Sequence, residues 1–142
     1  MERGTFAEID HTADIGLDLE GKTPEAILEA AQRGLTRLLF ADVSDLVADE
    51  ERRITIEAPD LPDLLKAWCE ALYRLLEEEG FVALESDVVM ADAMACRAVA
   101  RGTVPSRERI ASASELKAVT YHQLAFERGG DGGWIARVIF DV

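Results

Sequence analysis

The chain has few of the residues that build disulfides, metal cages or nucleic-acid grips. Two cysteines, Cys69 and Cys96, and two histidines, His11 and His122, are spread over 142 residues. Both cysteines sit among apolar neighbours with no C-x-x-C spacing, which points to a buried, reduced pair in a cytoplasmic protein. Neither histidine stands at ligand spacing from a cysteine, and this argues against zinc. No apolar run approaches the roughly eighteen residues of a membrane helix, and Met1-Glu2-Arg3-Gly4 does not open like a signal peptide. The expectation is a cytoplasmic location without membrane contact. Bases are also scarce, with 15 Lys and Arg against 28 Asp and Glu, for a net charge of −13. Such a field repels phosphate backbones, so the surface as a whole cannot grip nucleic acid, and direct RNA contact is expected to be absent or transient. It suits a soluble protein that offers carboxylates to a cation or to a basic partner.

With 49% apolar and 30% charged residues, the composition is that of a globular chain. Its length suggests one domain over residues 1–142. The charge is uneven. Residues 1–71 hold seventeen acids and seven bases, whereas Arg97, Arg101, Arg107, Arg109 and Lys117 form a local basic stretch broken only by Glu108 and Glu115. That stretch reads either as a contact for a phosphate or acidic partner, or as a solvated strand edge and loop.

Two helices are predicted. Thr23 caps the first, Pro24 occupies its first turn, and Ile27, Ala30, Ala31, Gly34, Leu35, Leu38 and Leu39 recur on one face through Phe40. The second runs from about Leu61 to Glu79, with Asp60 as cap, Leu64, Leu65, Trp68, Leu72, Leu75 and Leu76 as its stripe, and Gly80 as a left-handed stop. Alternation predicts strands around Ile15–Leu19, Ile54–Ile56, Phe81–Met90, Met94–Arg101, Leu116–Phe126 and Trp134–Phe140. The last two flank the glycine-rich turn Arg128–Gly133. Residues 102–114 read as a loop. Strands that come in consecutive runs favour an α+β two-layer sandwich, with a largely antiparallel mixed sheet and the two main helices packed on it.

Asp10-His11-Thr12-Ala13-Asp14 places two carboxylates and an imidazole just before a strand. Hard oxygens this close suit Mg²⁺ or Ca²⁺, but aspartates at this spacing are more often turn-formers that bond their own backbone, and spacing alone favours the turn. At the other end, pairing Glu127 with Trp134 would set Asp141 opposite Thr120. Lys117 would then lie on the order of 10 Å away along the strand. No G-x-S-x-G is present, no histidine is paired with Ser112 or Ser114, and no Lys-Ser/Thr follows the glycines at 129–133, so nucleophilic hydrolysis and a phosphate loop are unsupported.

Taken together, Ile9-Asp-His-Thr-Ala-Asp-Ile-Gly16, Gly21-Lys-Thr-Pro-Glu-Ala26, the Leu64-Leu65…Trp68 helix, Glu115-Leu-Lys-Ala-Val-Thr-Tyr-His122 and Arg137-Val-Ile-Phe-Asp141 resemble the archease family over residues 5 to 142. The resemblance implies an accessory protein of an RtcB-type RNA ligase in tRNA splicing and RNA repair. Such a protein promotes guanylylation and multiple turnover of the ligase without being a catalyst itself. It also implies a divalent metal ion (Ca²⁺, Mg²⁺ or Mn²⁺) held by Asp14 and Asp141 with help from Asp10. Lys117 would stand beside them as a partner-activating residue, His11 within the same motif, and GTP at the shared site. Around Ile110, where relatives often carry a histidine, this chain has none. Two other readings use the same acids: a small metal-dependent phosphoesterase, and a chaperone-like metal-binding module for RNA-modifying enzymes.

Overall fold

The computed structural model describes residues 3–10, 14–92 and 94–142. In chain order it contains β1 (Thr5–Asp10), β2 (Asp14–Gly21), α1 (Pro24–Leu39), β3 (Glu50–Glu57), α2 (Leu61–Glu79), β4 (Val82–Asp92), β5 (Ala95–Thr103), α3 (Arg107–Ala111), β6 (Ala118–Val119), β7 (Ala125–Arg128) and β8 (Trp134–Asp141). The two long helices begin and end where their capping chemistry directs. Thr23 Oγ1 accepts from the Ala26 amide at 3.1 Å and Asp60 Oδ1 from the Asp63 amide at 2.9 Å, each satisfying an amide that the first turn leaves open. Gly80 closes α2 in the left-handed region at φ 67°.

The α+β class is as expected, but the strands divide into two sheets. One runs β1-β2-β8-β6, with β7 also paired to β8; the other runs β3-β5-β4. Every described pairing is antiparallel. Both long helices pack against strands of both sheets. Trp68, Leu64 and Leu65 of α2, Ile27 and Leu28 of α1, and Leu17, Val138 and Phe140 of the five-stranded sheet are buried in one cluster. The Trp68 indole N–H donates to Leu28 O at 2.8 Å, which ties the helices together.

Helix α1 also covers the outer edge of β4. Gln32 Nε2 donates to Ala83 O at 2.9 Å, Thr36 Oγ1 lies 2.6 Å from the same carbonyl, and Glu29 accepts from the Val88 amide at 2.9 Å. Ser86 Oγ donates to Gln32 Oε1. The helix thus meets hydrogen-bonding groups that an edge strand leaves open. Three differences from the sequence reading stand out. β1 is a strand that alternation did not mark, and residues 102–114 include the short helix α3. Residues 116–126 are not one strand but β6 and β7 with a turn between them.

Candidate functional site

β2 alternates Ile15, Leu17 and Leu19 toward the core with Asp14, Gly16 and Asp18 on the opposite face. It pairs along its whole length with β8, placing Asp14 opposite Asp141, Gly16 opposite Ile139 and Asp18 opposite Arg137. The close approach at the middle rung requires a glycine. A Cβ on Gly16 would sit 2.6 Å from Val138 O and 2.7 Å from Ile139 Cδ1. Side chains directly opposite in such a pair have Cβ atoms about 4.5–5.5 Å apart, so the Asp14 and Asp141 carboxylates share one strand end. Both residues are half-buried.

Lys117 directly precedes β6. Its amide donates to Asp141 O at 2.8 Å, and Ala118 is the residue opposite Asp141. The expected register, with Glu127 facing Trp134 and Thr120 facing Asp141, is therefore corrected. Arg128 faces Trp134 and Ala118 faces Asp141. The cause is the turn between β6 and β7, where Leu124 N bonds Tyr121 O, the His122 amide bonds Thr120 Oγ1, and Gln123 takes φ 53°. These residues leave the strand path, so the pairing slips and the Lys117 backbone amide moves up to Asp141 O. The Lys117 side chain lines a cavity of about 200 Å³ with Glu70, Tyr73, Arg74 and Glu77 of α2. Tyr73 anchors this segment by accepting the Leu116 amide at 3.1 Å.

Asp10 ends β1 opposite Ile15, one rung from Asp14; its side chain and all of His11 lie outside the described residues. Among the described residues, no group of three His, Cys, Asp or Glu is placed to hold a metal ion. Asp14 and Asp141 supply a pair of hard-oxygen donors at the strand end.

A second polar feature lies two rungs along the same face and was not foreseen as a cluster. Arg137 holds Asp18 with Nε at 2.6 Å and Nη2 at 2.9 Å, while Nη1 donates to Gln123 Oε1 at 2.9 Å. Beside the Asp18 carboxylate, the Arg137 guanidinium is held above its ordinary pKa. The even-numbered spacing of Asp14 and Asp18 against Arg137 and Asp141 was the available signal. Reading it required the β2·β8 register. His122 is exposed in the β6–β7 turn, and Trp134 packs edge-on against Phe126 with ring centroids 5.8 Å apart. Cys69 and Cys96 are buried free thiols, and burial pushes the Cys69 thiol up to about 12.

The sequence model of the archease protein family matches residues 6–142 of this small α+β protein. The chain belongs to the archease family. It is 34% identical over 140 residues to the protein archease of Methanopyrus kandleri, covering 96% of this chain and 99% of that one. It is 33% identical over 141 residues to the protein archease of Methanosarcina barkeri, covering 96% and 95%. The solution structure of Methanobacterium thermoautotrophicum protein 1598 superimposes over all of both chains with a TM-score of 0.76 at 30% identity. The crystal structure of a Thermotoga maritima archease, described as a possible chaperone, gives 0.65 at 25% identity over 94% of each chain.

Proposed function

We propose that this protein is a non-catalytic accessory factor that activates an RtcB-type RNA ligase, using Asp14, Asp141 and Lys117 at the β2–β8–β6 strand end. The observation that carries the reading is the Asp14–Asp141 rung with the Lys117 amide bonded to Asp141 O. Like charges directly opposed across strands are destabilising, and a cation relieves the repulsion. A hard divalent ion takes about six or more oxygen ligands. Asp14 and Asp141 would hold it, with Asp10 and backbone or solvent oxygens completing the set. When bound, the ion would supply positive charge for phosphate oxygens. The chain's own contribution is placement: two strands fix the aspartates, β6 fixes the lysine, and the Tyr73 hydroxyl fixes the segment before it.

The chemistry stays on the ligase, whose histidine takes GMP from GTP with release of pyrophosphate. A phosphoesterase would also need a general base near the acid pair. For that role the chain offers only His11 and His122, and His122 is exposed in the turn between β6 and β7. Covalent GMP on the ligase, followed with GTP, the divalent ion and either the wild-type chain or a variant, tests the proposal. Asp14→Ala and Asp141→Ala are each expected to reduce stimulation at least tenfold. Undiminished stimulation by both variants would sink the mechanism, and phosphate release without the ligase would favour the esterase.

A further inference from the structure

The two sheets have four outer edges, and three of them are blunted. β4 is covered by Gln32, Thr36 and Glu29 of α1. β3 carries Glu50, Glu51, Arg52, Arg53 and Glu57 among its eight residues, with Arg52 bound to both Glu50 and Glu79. On the far side of β8, β6 has two residues and β7 four. These are the devices by which proteins stop an edge from recruiting another chain. The fourth edge, β1, is neither covered nor short, and its charge is of one sign, with Glu8 and Asp10 and no base. It is six residues long, pairs only with β2, and contains no proline and no lysine or arginine. Thr5, Ala7 and Glu8 are exposed along it. No backbone hydrogen bond to its outer side is found among the described residues.

We propose that β1 is a docking edge that takes an extended, positively charged segment of a partner protein as an added strand. Backbone bonding along β1 would provide affinity, and the alternate side chains would provide selection. Charge decides the occupant. The strand carries Glu8 and Asp10 with no base, in a chain of net charge −13. A second copy of this chain would bring the same acids and the same net charge against it, whereas a basic segment meets complementary charge. Position gives the edge its use. β1 ends one rung from Asp14, and neighbouring strands lie about 4.8 Å apart, so an added strand runs roughly 10 Å from β2. An arginine or lysine on that segment spans much of this gap, which brings the partner chain alongside the acid pair. The inference rests on the proposed function for its partner, the RtcB-type ligase.

Amide hydrogen exchange of residues 5–9, in the free chain and in its complex with the ligase, tests this. Strand addition protects alternate amides, either Phe6 and Glu8 or Thr5, Ala7 and Ile9, by tenfold or more. Glu8→Lys weakens the complex several-fold while leaving the free fold intact. A complex that forms with unchanged exchange along β1 overturns the docking edge and leaves the accessory function standing. Unaltered affinity in Glu8→Lys overturns the basic occupant. Failure of the wild-type chain to bind or stimulate the ligase overturns both proposals. Protection that grows with concentration in the absence of ligase makes the occupant a second copy and overturns the inference as stated.

Discussion

At the residue scale, the site depends on a side chain that is not there. Gly16 lets β2 and β8 approach at the rung between Asp14–Asp141 and Asp18–Arg137. Gly16→Ala forces a methyl group into backbone, and overpacking of this kind costs about 1–3 kcal/mol. Denaturant unfolding should show that loss, with ligase stimulation falling as the strand end opens. Gly130→Ala is the control, because a Cβ there meets nothing within 4 Å, and it should be neutral in both assays. Glu29 presents a different residue-level effect. Burial, the largest influence, raises its pKa although it accepts the Val88 amide. A carboxyl with a raised folded pKa binds protons more tightly when folded. Its contribution is therefore fully present below the unfolded pKa and is lost as pH rises through the folded one. Glu29→Gln keeps an acceptor for Val88 and carries no charge. Thermal melts from pH 4 to 7 should show a smaller decline for the variant than for the wild type.

At the scale of elements, legibility in the sequence followed the range of the forces involved. Both long helices were readable nearly to the residue, because Thr23, Pro24, Asp60, Pro62 and Gly80 act locally on caps and first turns. β1 was not readable, because an edge strand exposed over much of its length shows no clean apolar alternation: Phe6 and Ile9 are three apart. α3, at five residues, is too short for a period of 3.6 to declare itself. The register beside Asp141 was missed because a turn closed by Thr120, Tyr121 and Leu124, with Gln123 at positive φ, interrupts an otherwise strand-like run. For the site, residue identities came from family resemblance, while their convergence came from pairing between distant strands. The α1–β4 contact is testable at this scale. Gln32→Met keeps the volume but removes the donor to Ala83 O and the acceptor for Ser86. Thr36 Oγ1 still reaches Ala83 O, so the Ser86 hydroxyl is the buried group that loses its acceptor, at a cost of about 1–3 kcal/mol. Chemical denaturation should show a loss in that range, with α1 retained in the circular dichroism spectrum.

At the scale of the molecule, a charge of −13 is a standing repulsion that salt screens over about 10 Å at 0.1 M. The melting temperature should therefore rise between low and moderate ionic strength. Beyond that general effect, a divalent ion that binds the folded state stabilises it by mass action. At fixed ionic strength, Ca²⁺, Mg²⁺ or Mn²⁺ should raise the melting temperature of the wild type, and a chelator should reverse the gain. In Asp14→Asn and Asp141→Asn the gain should disappear, while the metal-free protein becomes slightly more stable as the opposed charges are removed. The order of strands has a further consequence. β8 lies at the centre of its sheet, between β2 on one side and β6 and β7 on the other, yet it follows all of them in the chain. During synthesis the hairpin of β1 and β2 must wait without its neighbour until residues 134–141 emerge from the ribosome. For that interval the nascent chain carries an open strand on both flanks, and its vulnerability to aggregation is decided before the acid pair can form.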